Sequence, residues 1–435
     1  MPQLIPRLPI GPDPLRRIRV PKDLDAITSV GEEVDPAAVG MTRDNVERMW
    51  AAIRVLYRTG VHPAIQLTVR REGQVVLDRA IGHARGNGPA DGPDVERVPV
   101  TTRTPFVIYS ASKAITAMVA HLLDQRGVLH IGDRVCEYVP EFAAHGKEGV
   151  TIAHVLSHRA GVPNVPTEML DLENIDDHDL VVRTMCDARP LSRPGKALAY
   201  HAISGGFIVD EIVRRVTGDD IRTVLAREIL DPLGFDFTNY GVPADRVDEV
   251  GWSYATGAPS LPPVSTLLLR ALGKHPDDIP ALANDPRFLT GIIPAGNGVA
   301  SAFELSRFFE LLRAGGTLDG VEVFEPRTIR RAVTEQSYRE IDFTLGFPTR
   351  YSLGFMLGAQ LLSIYGPDTE QVFGHLGYSN TIGWADPARA TACALVTSGK
   401  PIVYPELVDF WGVMRRIGRE CPKADPATDP LRLPG

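Results

Sequence analysis

Apolar residues along this chain recur with two different periods, and the period changes with position. Between Met41 and Thr59, the residues Val46, Met49, Ile53 and Leu56 fall on one helical stripe, and Gly60 ends it, which predicts an amphipathic helix. Directly afterwards Ile65, Leu67 and Val69 alternate, Glu72-Gly73 supplies a turn, and Val75 to Leu77 follows, the pattern of a β-hairpin. Residues 83–103 are rich in glycine and proline and read as a loop. The apolar run Phe106 to Tyr109 then gives way to a helix carrying Ile115, Met118, Val119 and Leu122, which stops at Gly127.

From there to about residue 290, helical stretches dominate. Thr151 to His158 is one, and Ser204 to Val216, closed by Gly218, is another. Glu168 to Asp179 is acidic, but it lacks the ordered spacing and glycine of a calcium loop and reads as a solvated face. Residues 255–290, rich in proline and leucine, read as an inserted flap. Ser301-Ala302-Phe303-Glu304 fits a capping box that opens a helix with Leu305, Phe308 and Leu312 on one side. Strand character then returns at Tyr351 to Leu357, and at Thr381 to Ala385 and Ala392 to Thr397 around the turn Asp386-Pro387-Ala388-Arg389. A last helix, Pro405 to Arg419, is expected to bury Leu407, Phe410, Trp411 and Met414.

Strands near both ends with helices between them predict an α/β (α+β) fold: one antiparallel β-sheet flanked by helices, built from both chain ends, with an inserted mainly helical domain. The expected division is an extended N-terminal arm (1–40), an α/β domain (41–115 and 291–420), a helical domain (116–290, with the flap at 255–290) and a C-terminal tail (421–435).

Composition narrows the function without choosing it. The 435 residues are 44% hydrophobic and 23% charged, ordinary for a globular protein large enough to bury a sizeable core. A net charge of −8 with no basic stretch speaks against nucleic acid as the main partner. Cys136, Cys186, Cys393 and Cys421 are widely spaced, form no Cys-x-x-Cys pair, and are expected as free thiols in a reducing compartment. Neither a signal peptide nor an 18-residue apolar run is visible, so the expectation is a cytoplasmic protein without a transmembrane segment. A homo-oligomer is compatible with all of this.

The candidate chemistry starts at Ser110-Ala111-Ser112-Lys113. A hydroxyl and an amine at i and i+3 share one helix face, about 5–6 Å apart at Cβ, so Lys113 can reach Ser110. A serine becomes a good nucleophile only beside such a base. Two further segments add to the pair. Pro194-Gly195-Lys196-Ala197-Leu198-Ala199-Tyr200-His201-Ala202 delivers a phenol just ahead of a helix, where the lysine cation would favour phenolate and let Tyr200 relay a proton. Phe373-Gly374-His375-Leu376-Gly377-Tyr378 enters a strand. There Gly377 permits close backbone approach, His375 can orient substrate, and an edge-strand amide at Tyr378 could join that of Ser110 as an oxyanion hole.

Together these segments resemble the serine β-lactamase and penicillin-binding-protein superfamily, in the branch with class C β-lactamases, D-amino-acid peptidases and family VIII carboxylesterases, over roughly residues 45–420. Ser110-x-x-Lys113 is similar to the nucleophile motif, Tyr200-His201-Ala202 to Tyr-x-Asn, and His375-Leu376-Gly377 to Lys-Thr-Gly in its His-x-Gly form. Val155 to Gly161, Asp231 to Phe235 and Tyr351 to Phe355 resemble further signatures of the group. The departures matter. Ala202 replaces an asparagine that in relatives contacts a β-lactam or peptide amide, and His375, mostly neutral at pH 7, replaces a lysine that attracts a substrate carboxylate. Bulky Tyr378 stands where a small hydroxyl residue is usual. The resemblance therefore implies a serine hydrolase of short-to-medium acyl esters, with Ser110, Lys113 and Tyr200 catalytic, Tyr378, His375, Gly377 and Ala202 around the oxyanion and substrate, and no metal or organic cofactor. Alternatives with the same residues are a β-lactamase or D-amino-acid peptidase, an acyltransferase, and a catalytically silent binding protein.

Two rival sites are visible in the same sequence. Ala202-Ile203-Ser204-Gly205-Gly206 imitates a nucleophile elbow, although regular β-α alternation is missing. His154 and His158, at i and i+4, have zinc-ligand spacing without a third ligand.

Overall fold

The computed structural model describes residues 13–166, 171–175, 177–402 and 407–432. Its frame is a ten-stranded sheet of antiparallel pairs built from the two ends of the chain. The N-terminal part supplies β1 (Thr28–Val30), β2 (Ala64–Arg71), β3 (Gln74–Arg85) and β4 (Val98–Pro99). The three short strands β5 (Phe106–Val107), β6 (Asn239–Tyr240) and β7 (Gly298–Ala300) form a separate small sheet, and β8 (Thr317–Leu318) pairs with β9 (Val321–Glu322) as a hairpin. The C-terminal part adds β10 (Ser337–Ile341), β11 (Pro348–Tyr351), β12 (Met356–Leu357), β13 (Phe373–Leu376), β14 (Ile382–Asp386) and β15 (Thr391–Thr397). The spatial order is β1-β3-β2-β15-β14-β13-β12-β11-β10, with β4 paired to β3. The expected architecture is the observed one, and chain ends meet where β2 pairs with β15, Ile65 opposite Thr397.

The sheet is covered on both faces, which explains why every residue of β2 and β15 is buried. Ala392, Ala394 and Val396 face the helix Ala302–Arg313, and Cys393 and Leu395 face the helices Arg43–Arg58 and Leu407–Glu420. Small residues on the first face let that helix lie close: a Cβ on Gly383 would come within 2.5 Å of the Phe309 ring. The alternation in β2 is real, but its polar members are buried too, because each finds a partner. Gln66 accepts from Ala302 N at 3.0 Å, Thr68 donates to Asp78 at 2.9 Å, and Arg70 donates to Ser306 at 3.1 Å.

Several expectations are corrected in detail. Within the segment read as an extended arm, Thr28–Val30 is an edge strand, and within the 83–103 loop β3 runs on to Arg85 and pairs with Val98–Pro99. Tyr351 to Leu357 is two strands around a tight turn, not one strand. Gly354 at φ +120° makes that turn, and a Cβ there would collide with Ala117 on the helix that follows Ser110. Ser301 does cap its helix, but Glu304 does not close a capping box. Its carboxylate instead accepts from Asp236 N, Phe237 N and Thr238 N, anchoring the segment that leads into β6. The 255–290 flap contains three helices, Val264–Leu272, Ile279–Ala283 and Pro286–Thr290. The last helix begins at Leu407 among the described residues and buries Phe410, Val413, Met414 and Ile417. Leu407 points to solvent, and Trp411, half-buried, donates to Ser363 O at 3.0 Å. Part of the acidic 168–179 segment and Pro405 lie outside the described residues. Asp179 belongs to a helix, His178–Asp187. All four cysteines are unpaired thiols. No helix among the described residues is long and apolar enough to cross a membrane.

Candidate active site

Ser110 lies in a 3₁₀ turn, Tyr109–Ala111, from which the helix Ser112–Gln125 departs. Tyr109 is held in the left-handed region at φ 51°, a conformation that costs a non-glycine residue about 1–3 kcal/mol. Ser112 holds it there. Its buried hydroxyl donates to Tyr109 O and accepts from Gly298 N at 2.9 Å, tying the turn to β7. Ser112 looks dispensable in the sequence because position 115 is Ile, and its structural role shows only once β7 is beside it. Ser112→Ala strands the buried Gly298 N–H, at about 1–3 kcal/mol, and leaves Tyr109 O with the backbone N–H of residue 112 alone. The expected result is a lower unfolding midpoint with acylation chemistry still detectable, and an unchanged midpoint would refute the role.

Lys113 is 9% exposed, and its Nζ lies 3.0 Å from Ser110 Oγ. It also donates to Ala202 O at 2.7 Å and Ala295 O at 2.9 Å. No carboxylate pairs with it among the described residues, and burial holds its pKa well below the usual lysine value. A neutral amine has two hydrogens and one lone pair. The two carbonyls take the hydrogens, which leaves the lone pair for the Ser110 hydroxyl proton. The Ala202 backbone, not its methyl, therefore takes part. Ala295 reaches the site because Gly206 leaves room: a Cβ there would come within 2.7 Å of Ala295 N.

Tyr200 is buried, with its ring centroid 4.9 Å from Lys113 Nζ and its phenol interacting with the Ser110 hydroxyl. Burial pushes the phenol pKa up, outweighing the Ser110 hydrogen bond that lowers it. The expected phenolate is thus not favoured, because desolvation penalises its charge. Tyr200 stands as a phenol beside a lysine that burial pushes toward its neutral form. Asp342, unassigned in the sequence, and His158, read there as half of a zinc pair, fix it. Asp342 accepts from Tyr200 N at 3.0 Å, and the His158 ring packs 4.7 Å from the rings of both Tyr200 and Tyr351. His158 Nδ1 also accepts from His201 N at 3.2 Å.

His375 is fully buried on β13, 6.3 Å from the Tyr200 ring. Its Nδ1 donates to Leu376 O at 2.7 Å, which fixes the tautomer and leaves Nε2 as a lone pair without a partner among the described residues. Burial, and then Lys113, take its pKa down to about 3, so it carries no charge at neutral pH. β13 is not an edge strand, since it pairs with both β12 and β14. Tyr378 lies beyond it, in a turn. Gly377 lets that turn touch the nucleophile segment, as a Cβ would stand 2.3 Å from Ile108 O. The Tyr378 N–H makes no hydrogen bond among the described residues. Its ring stands 5.5 Å from Tyr109, and its hydroxyl donates to Pro276 O at 2.7 Å, joining the turn to the flap.

The rival sites do not assemble. Ser204 is fully buried and donates to Val162 O at 2.7 Å, inside the fold. His154 caps its own helix by accepting from Thr151 N, while His158 packs against Tyr200, so the two do not face one ligand.

The family model described as Beta-lactamase matches residues 43–409. Esterase/beta-lactamase LipL of Mycobacterium tuberculosis is 30% identical over 378 residues, covering 82% of each chain. Among solved structures, a family VIII carboxylesterase superposes with a TM-score of 0.74 at 26% identity, covering 86% of this chain and 98% of its own. A penicillin-binding-protein homologue from Caulobacter crescentus gives 0.75 at 27% identity, covering 88% and 99%. With Ser110, Lys113 and Tyr200 gathered on this scaffold, the chain belongs to the beta-lactamase family, as an esterase/beta-lactamase-like hydrolase on the serine β-lactamase fold.

Proposed function

We propose that the protein hydrolyses neutral carboxylic esters of short to medium acyl chains through an acyl-enzyme on Ser110. The observation that carries the reading is the buried, carboxylate-free Lys113, whose hydrogens are taken by two carbonyls and whose lone pair meets Ser110. Ser110 Oγ attacks the ester carbonyl carbon as its proton passes to Lys113 Nζ. The amides of Ser110 and Tyr378 hold the oxyanion. The C–O bond breaks as Tyr200 protonates the leaving alkoxide, and the Lys113 proton replenishes Tyr200. Water, deprotonated by the same pair, then releases the acid.

Substrate preference follows from charge. Around Ser110, His375 is neutral and position 202 is alanine, so neither position gives a substrate carboxylate a cation. A cavity of about 410 Å³ beside the Tyr200 segment has Leu191, Leu267 and Phe343 on its apolar part, which suits an uncharged acyl or alcohol group, and Asn164, Ser192 and Arg270 on its polar part. The name of LipL includes both activities, and the β-lactamase reading ranks second here for want of that cation. Mass spectrometry after fluorophosphonate treatment, with p-nitrophenyl esters, nitrocefin and D-alanyl peptides as competitors, tests the proposal. An adduct on Ser110 blocked best by esters supports it. No adduct at all, with no p-nitrophenol burst, sinks it in favour of a silent binding protein.

His375→Lys tests the charge argument separately. A cation at this site is expected to raise the ratio of kcat/KM for carboxylate-bearing β-lactams over neutral esters about 10–100-fold, the worth of one charge-assisted hydrogen bond. An unchanged ratio would mean that something other than charge sets the preference.

A further inference from the structure

A second buried lysine, unused in the steps above, lies behind the reacting groups. Lys400 is 3% exposed. Its Nζ donates to Thr381 Oγ1 at 2.8 Å and to Thr397 O at 2.6 Å, and stands 4.9 Å from the centre of the Tyr109 ring. No carboxylate reaches it among the described residues, and burial alone brings its pKa to about 7. A lysine kept in such a place at the cost of its desolvation needs a reason.

Its contacts give one. Thr381 closes the turn that contains Tyr378, accepting from Gly377 N at 2.6 Å. The same turn is fixed to the end of β15 at two more points. Ser379 Oγ donates to Pro401 O at 2.6 Å, and Asn380 Nδ2 donates to His62 Nε2 at 3.2 Å, whose Nδ1 in turn donates to Gly399 O at 3.1 Å. The other contact, Tyr109, immediately precedes Ser110 and holds the left-handed backbone that aims it. Lys400 therefore touches one residue of each turn from which an oxyanion amide comes.

We infer that Lys400 is a positioning residue that clamps the Ser110 turn and the Tyr378 turn together, so that their two amides point at one oxygen with a positive charge behind them. The inference rests on the hydrolase reading for its consequence, but not for its geometry. The charged form makes the clamp strongest, since an ammonium gains both from the ring face and from two oxygens. The titratable groups packed against it are His62, from the segment before β2, and Tyr109, from the nucleophile turn. His62 is held neutral by burial and by Lys400 itself, and Tyr109 is held protonated by burial. Neither opposes the loss of the Lys400 charge as pH rises through about 7.

The test compares Lys400→Met and Lys400→Arg with the wild type, reading the p-nitrophenyl butyrate acylation rate against pH and the amide resonances of ¹⁵N-tyrosine-labelled protein. Lys400→Met is expected to lose roughly 10–100-fold in kcat at neutral pH with KM little changed, less than the roughly 10²–10³-fold that outright removal of one oxyanion donor costs. The wild type is expected to lose rate on the alkaline side with a midpoint near 7, and Lys400→Arg, which stays charged, to lack that fall. The Tyr378 amide resonance should move through the same midpoint in the wild type and not in Lys400→Met. Thr381→Val, which removes the Lys400 acceptor together with two long 3.5 Å contacts to the Thr397 backbone, should reproduce part of the kcat loss if the methionine variant does not fold. Wild-type kcat in Lys400→Met, or a Tyr378 resonance indifferent to pH, overturns the clamp. Absence of any acyl-enzyme in the wild type would overturn the hydrolase reading instead, and the amide titration would still decide the geometry.

Discussion

Ser110→Ala is expected to lower kcat/KM toward esters by about 10⁴–10⁶-fold, the loss seen when a serine nucleophile is removed from an otherwise intact site. The hydroxyl donates to the Lys113 lone pair and interacts with the Tyr200 phenol, but it holds no backbone segment in place, so the fold should survive its loss. That separates it from Ser112 two residues on, whose hydroxyl bridges Tyr109 O and Gly298 N. The pair makes the assignment sharp: removing Ser110 costs chemistry at unchanged stability, and removing Ser112 costs stability first. Activity is to be read as p-nitrophenol release, and acylation as the mass of the trapped protein. An alanine variant that still turns over esters at the wild-type rate, or still gains an acyl mass, would move the nucleophile elsewhere.

Why Ser110 and Lys113 are readable from the chain, and Asp342, Ala295 and Lys400 are not, has a physical answer. A nucleophile and base at i and i+3 are brought together by the local helix alone, so their spacing already states their geometry. Tyr200 and His375 are marked more faintly, by turn and strand context. Asp342 reaches Tyr200 N across 142 positions, and Ala295 reaches Lys113 across 182. The latter contact is made by a backbone carbonyl, a group every residue has, so residue type cannot reveal it. Charge states were least legible of all. The sequence places a lysine near a tyrosine and suggests phenolate, whereas burial of both pushes each toward its neutral form. The sheet was legible because apolar alternation marks strands. The tight turn at Gly354 was not, because apolar residues continue on both sides of it.

Lys113 carries the other large effect, and its consequences run in two directions. As a base it must be neutral, so acylation is expected to rise with pH through its depressed pKa. Lys113→Met removes the lone pair and Lys113→Arg keeps a cation that cannot deprotonate. Both are expected to lose about as much kcat/KM as Ser110→Ala, since groups that act as one unit are not additive. Stability has the opposite claim on the same residue. Between the depressed folded pKa and the unfolded value near 10.5, the unfolded chain binds the extra proton, so the stability Lys113 permits rises with pH and is lowest on the acid side. Methionine does not carry that penalty but leaves Ala202 O and Ala295 O without donors, a cost of about 1–3 kcal/mol each. The net midpoint at one pH is therefore a poor test, and the pH slope is a good one. The difference in unfolding midpoint between wild type and Lys113→Met is expected to shift in favour of the wild type as pH rises from acid to alkaline. A flat difference would mean that Lys113 keeps an ordinary pKa in the fold, and a lysine that stays charged could not take the proton from Ser110.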